Sequence, residues 1–190
     1  MLDPRAIAEH LDGLAKPPGS LGRLEALAAR LAQVQGRLDP VTRPRRLVLF
    51  AGDHGVVAQG VTAWPQAVTA AMIATIASGR SASAVLAASV GAALRLVDVG
   101  SAGLPLAEPP GFCRDARIRA GSRDLAVEPA LSAGEFDAAW AIGVEEAQRA
   151  ADDGMVVLAA GEMGIGNTTP AAALTALLAG LGPAAACGRG

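Results

Sequence analysis

The sequence predicts an α/β fold, a Rossmann-like parallel sheet flanked by helices, with N-terminal helices forming part of a small helical subdomain. Three observations predict it. Met155–Ala160 is an apolar, β-branched run that reads as a buried strand, and it passes through a glycine loop into the helix formers Ala171–Leu178. Leu47–Phe50 runs without polar interruption, as a strand covered on both faces does, and empties into Ala51-Gly52-Asp53-His54-Gly55. Finally, 52% of the 190 residues are hydrophobic but only 3% aromatic, with no tyrosine, so the core is built from Ala, Val, Leu and Ile, which suits close helix-on-sheet packing. Residues 1–40 form the helical segment, and residues 41–190 an α/β domain that is incomplete.

In chain order, Ile7, Leu11 and Leu14 have helical spacing within residues 4–14, and Pro17-Pro18 interrupts. Ser20 is placed to cap a second helix whose Leu21, Leu24, Leu27, Ala28, Leu31 and Val34 make one apolar stripe ending near Gly36. After the first strand, Trp64-Pro65 leads to a helix over about 66–78 with Val68, Met72, Ile73 and Ile76 inward and Gly79 as its stop. Ser81 opens an alanine-rich helix over 84–90. Leu94–Gly100 is the second parallel strand, ending in Asp98 and Gly100. The Gly- and Pro-rich residues 101–113 read as a rim loop. Residues 117–124 read as a short strand and turn, and the four arginines from Arg114 to Arg123 as a solvated run or an anion contact. Ser132 and Glu135 form a capping box for a helix to about Ala151, with Phe136, Trp140, Ile142, Val144 and Ala147 apolar.

The glycine loop closes with Thr169 as N-cap and Pro170 as first helical residue. A helix start offers unpaired N–H groups and partial positive charge, and glycines admit a phosphate without a Cβ in the way. Gly161–Thr168 has the spacing of a nucleoside-triphosphate loop, but Asn167 stands where the lysine belongs, which argues against triphosphate hydrolysis. The dinucleotide fingerprint fails at Thr169. A monophosphate fits better, and the plain structural reading, glycines shaping a tight strand-to-helix turn, stands beside it. In open parallel sheets ligands bind beyond the strands' carboxyl ends, so this loop and Asp53-His54 are expected on one rim. There Asp53 and His54 either serve acid–base or ribose-binding chemistry, or cap the turn and make a structural hydrogen bond. Asp98 either meets a ribose hydroxyl or caps its strand.

The net charge of −2, with acids and bases interspersed, argues against nucleic acid and anionic membranes as partners and favours small ligands. No uninterrupted apolar run reaches the about 18 residues of a membrane span, and Asp3, Arg5, Glu9 and His10 are unlike a signal peptide, so a cytoplasmic location is expected. Cys113 and Cys187 lie apart from each other and from any His, indicating neither a metal site nor a disulfide.

Five stretches, taken together, resemble the nicotinate-nucleotide–dimethylbenzimidazole phosphoribosyltransferase family: Lys16–Glu25; Phe50–Val56; Gly60-Val61-Thr62 with Pro65 and Val68-Thr69; Val97–Gly100; and Gly161–Thr169. They follow the family's order across nearly the whole chain. The resemblance implies transfer of the phosphoribosyl group of nicotinate mononucleotide to 5,6-dimethylbenzimidazole, giving α-ribazole 5′-phosphate and nicotinate, in cobalamin biosynthesis, with no metal or cofactor and in a homodimer. It implies that Gly164, Ile165, Gly166, Asn167 and Thr168 hold the phosphate and that Glu162 lies beside the ribose or base. Asp53, His54, Asp98 and Met72 are the further candidate substrate contacts. Two departures stand out. The family's catalytic base is a glutamate beyond Gly190, leaving Glu162 an auxiliary at best, and Ala71 precedes Met72 where the family often has glutamine. A noncatalytic nucleotide-binding relative is the alternative. A sheet ending with these strands would also expose an unpaired edge and apolar helix faces, as a fragment or a partnered chain does.

Overall fold

The computed structural model describes residues 2–188, which divide between Arg43 and Pro44 into two compact units. The first contains α1 (Pro4–Asp12) and α2 (Arg23–Gln35). Asp3 caps α1 by accepting from the Arg5 N–H at 2.9 Å, and Pro4 follows it, where a missing N–H costs nothing. Ser20 does not cap α2. The start is set instead by Gly22 at φ 51°, and Glu25 reaches back to accept from the Leu21 N–H and to pair with Lys16, both at 3.0 Å. The expected stripe on α2 is mostly exposed, with Leu24, Leu27 and Val34 all more than half accessible, and the helix instead buries Ala32, outside the stripe.

The second unit is built on a parallel sheet of β1 (Arg45–Gly52), β2 (Ala92–Gly100), β3 (Cys113–Asp115) and β4 (Val157–Met163), in the order β3-β2-β1-β4. Alternation along each strand separates two cores. On one face Leu49, Ala51 and Leu96 pack with Ile73 and Ile76 of α3 (Ala67–Ala77); on the other Val48 and Val97 pack with Ile142 of α5 (Ala133–Asp152). Between α3 and β2 lies α4 (Ala82–Ser89), capped by the Ser81 hydroxyl, which accepts from the Ala84 N–H at 3.1 Å. By length and composition Ala67–Ser89 could cross a membrane, although Thr69, Thr75, Ser78 and Arg80 interrupt its apolar run. The chain breaks there at Gly79, φ 75°, and Thr69, Ile73, Ile76, Ala84 and Ala87 are buried.

Four further expectations are corrected. The short strand expected within 117–124 lies upstream, at β3, because only Cys113–Asp115 run in register with β2; Ile118 and Gly121 then donate singly to the Val99 and Gly100 carbonyls. The arginine run is neither free nor solvated. Arg114 binds Glu145 and Glu146 at 2.7 and 2.8 Å, Arg117 binds Asp115 at 2.7 Å, and Arg123 binds Glu135 at 2.7 Å. β4 is not buried but an edge strand, with Leu158, Ala159 and Ala160 exposed, since α6 (Thr168–Ala179) buries none of its residues against it. On α5 the buried positions are Ile142, Glu146 and Ala150, whereas Phe136, Trp140 and Val144 face solvent. The short α7 (Pro183–Ala186) packs on α6.

Candidate functional site

Parallel strands place all four carboxyl ends on one rim. β1 continues to β2 on one side while β4 pairs on the other, so the loops after β1 and β4 diverge from the point where the sheet order reverses, the position at which open α/β sheets hold ligands. The two loops touch. A Cβ at Gly164 would overlap the Gly52 carbonyl oxygen and lie 3.5 Å from His54 Nε2. Gly166 has φ 82°, in the left-handed region, and a Cβ there would be 2.7 Å from Val57 Cγ2. Both glycines are thus required by the packing of the chain on itself, before any ligand is considered.

The turn into α6 begins earlier than its residue types suggest. The Asn167 N–H donates to the Gly164 carbonyl and the Thr169 N–H to that of Gly166, winding the chain so that Thr168 is the first helical residue and Pro170 the third. Thr169 is therefore not the N-cap. Asn167 holds that position in helical conformation, and its side-chain amide donates to Glu162 Oε2 instead of capping. Glu162 is exposed at the end of β4, with its carboxylate tied across the mouth of the loop. The Ile165 N–H donates to Thr69 Oγ1 at 3.1 Å, and Thr69 is completely buried. No acceptor for the Gly166 and Thr168 N–H groups is found among the described residues. They are donors at a helix N-terminus, the arrangement that suits an anion.

Asp53 is buried and structural on three sides. Its N–H donates to the Gly100 carbonyl at 2.9 Å, its carbonyl accepts from Ser122 at 2.8 Å, and Oδ2 accepts from the Ala102 N–H at 2.8 Å. Oδ1 is buried with no hydrogen-bond partner among the described residues. His54 is half-buried, and burial pushes its imidazole below the ordinary 6.5, partly countered by the Asp53 charge, so the neutral ring is the form present at the rim at pH 7. Asp98 caps the turn at the end of its strand. Oδ1 accepts from the Gly100 and Ser101 N–H groups at 3.1 and 2.8 Å, and Oδ2 from the Ser101 hydroxyl at 2.5 Å with Arg117 3.8 Å away. Met72 is half-buried on α3, one turn beyond Thr69 and so on the same helix face. No cluster of three or more metal-ligating side chains occurs among the described residues.

Thr69 is the site residue that its position within an apolar helix did not single out. Its signal was present: a hydroxyl at the i position of the buried Thr69, Ile73, Ile76 row needs a partner, and the loop amide provides it.

A family model described as a phosphoribosyltransferase matches residues 4–190. Among relatives, the nicotinate-nucleotide–dimethylbenzimidazole phosphoribosyltransferase of Solidesulfovibrio magneticus is 47% identical over 181 residues, 95% of this chain and 51% of that protein. The protein of that name from Thermus thermophilus is 45% identical over 192 residues, 100% of this chain and 57% of the relative. The crystal structure of CobT from Thermus thermophilus superposes with a TM-score of 0.91 at 45% identity, covering 98% of this chain and 56% of that one. The chain thus spans about half the length of the relatives it matches. With a family model matching residues 4–190 and a superposition at TM-score 0.91 and 45% identity, the chain belongs to the nicotinate-nucleotide–dimethylbenzimidazole phosphoribosyltransferase family.

Proposed function

We propose that this chain supplies the nucleotide-holding part of an enzyme that transfers the phosphoribosyl group of nicotinate mononucleotide to 5,6-dimethylbenzimidazole, in cobalamin biosynthesis, releasing nicotinate. One observation carries the reading: the Gly164–Thr168 loop leaves β4 directly against the β1 loop at the reversal of sheet order, with open amides at a helix start. The 5′-phosphate sits on the Gly166 and Thr168 amides. The nicotinate ring nitrogen is cationic in the substrate and leaves as a neutral base, so the anomeric carbon passes through an oxocarbenium-like state as the benzimidazole nitrogen attacks the opposite face. Inversion follows from that geometry.

Glu162, with its carboxylate at the mouth of the loop, lies where negative charge supports a sugar cation. Glu162 serves as an auxiliary, the resemblance giving the role of base for the benzimidazole N–H to a different glutamate of the family. Asp53 and His54 line the ribose side, and α3 with Met72 the acceptor side. Asp98 supports the rim from beneath by holding the Gly100-Ser101 turn. We also propose a cytoplasmic homodimer, supported by two unpaired cysteines, as a reducing compartment leaves them, and by apolar side chains exposed on α5 and α6.

The test is incubation of the full-length protein with nicotinate mononucleotide and dimethylbenzimidazole, followed by chromatography. Equal amounts of α-ribazole 5′-phosphate and nicotinate are expected. Saturable mononucleotide binding without product would instead identify a noncatalytic relative.

A further inference from the structure

The glycine loop is held by four contacts of different kinds. Gly164 abuts the β1 carbonyl, Gly166 lies under Val57, Asn167 is tied to Glu162, and the Ile165 amide is bound by Thr69. Of these four, the Thr69 bond is the one that fixes the direction of a loop amide, because it holds the Ile165 N–H from α3. Thr69 sits in the first turn of α3, is 0% exposed, and has a β-branched side chain with few rotamers open to it in a helix. Its hydroxyl is therefore a fixed acceptor, not an adaptable one.

From this we infer that Thr69 is a positioning residue for phosphate binding: by turning the Ile165 N–H into the protein, it leaves the Gly166 and Thr168 amides as the donors facing the anion. This rests on the phosphate reading given above. Without the Oγ1 acceptor, the part-buried Ile165 amide is left unpaired, and the strip Gly164-Ile165-Gly166 rotates to find a partner. That rotation misdirects the neighbouring amides. Thr69 touches no substrate in this account, so its effect is confined to ligands that carry the phosphate.

The experiment measures the affinity of the full-length protein for nicotinate mononucleotide and for nicotinate riboside, which lacks the phosphate, by calorimetry. Wild-type protein is expected to favour the mononucleotide. Thr69→Val, isosteric but without the acceptor, is expected to lose roughly tenfold in mononucleotide affinity with riboside affinity unchanged, the scale of one unpaired part-buried amide. Thr69→Ser, which restores the hydroxyl, should recover the preference. Thr69→Ala serves where the valine variant does not fold. A wild-type preference that persists in both Thr69→Val and Thr69→Ala overturns the role of Thr69 and leaves the phosphate reading standing. Equal loss for both ligands also overturns it, as a purely structural role. No preference in the wild type removes the phosphate reading itself, and the inference with it.

Discussion

Gly164 has room for no side chain, and the reason lies in another strand. Its missing Cβ is occupied by the Gly52 carbonyl oxygen at the end of β1, and the substitution Gly164→Ala must push two strand ends apart. Backbone has no rotamer through which to yield, so the variant is expected to lose about 1–3 kcal/mol of stability, or more, read as a lower urea midpoint at unchanged slope. Mononucleotide affinity should fall with it. The sequence showed the glycine and a reason for it, approach by a phosphate, but the nearest neighbour is the protein's own chain. Thr69 was hidden for a related cause. One hydroxyl in an apolar helix carries no address, and its partner lies 96 residues away in Ile165.

Among the elements, α5 shows most clearly how local and distant chemistry combine. The Ser132–Glu135 box is present as its spacing predicts, and Glu135 also receives Arg123, at 2.7 and 3.0 Å. Hydrogen bonds from the Arg123 guanidinium, then from the Ser132 backbone, hold the Glu135 carboxyl down to about 2 from an ordinary 4.5. The folded value lies below the unfolded one, so this contribution is complete above pH 4.5 and is lost as pH falls toward 2. Glu135→Gln should flatten that limb of an acid titration followed by urea midpoint; an unchanged limb would remove the assignment. Further along, buried Glu146 receives Arg95 from β2 at 2.6 Å and Arg114 from β3 at 2.8 Å. Burial raises its carboxyl, but the two guanidinium hydrogen bonds outweigh that and leave it lowered. These pairs explain why the arginine run looks solvated in the sequence alone. Acids 12 to 51 residues distant in sequence pair with Arg123, Arg114 and Arg95, and no local pattern contains them.

At the scale of the whole molecule, the uncovered surfaces follow from one edge. β4 has a neighbour on one side only, α6 packs mainly on α7 and has no buried residue, and Leu177 and Leu178 are about four-fifths exposed. On α5 the Phe136, Trp140, Val144 row is more than half exposed, its two rings 6.2 Å apart. Apolar area on this scale drives association. The 190-residue chain is expected to sediment with concentration-dependent mass, and Trp140→Glu together with Leu177→Glu to shift it toward monomer at an unchanged urea midpoint. Monomer mass at every concentration would contradict this. What the sequence by itself determined were the strands β1 and β2, the helices α3 to α5, their caps and the shared rim, because period, capping and glycine stops act over a few residues. Only the tertiary structure decided that β4 is an edge, that β3 begins at Cys113, that the arginines are paired and that Thr69 anchors the loop. Burial and pairing of that kind are settled between residues tens of positions apart, and a stretch of chain does not contain its partners.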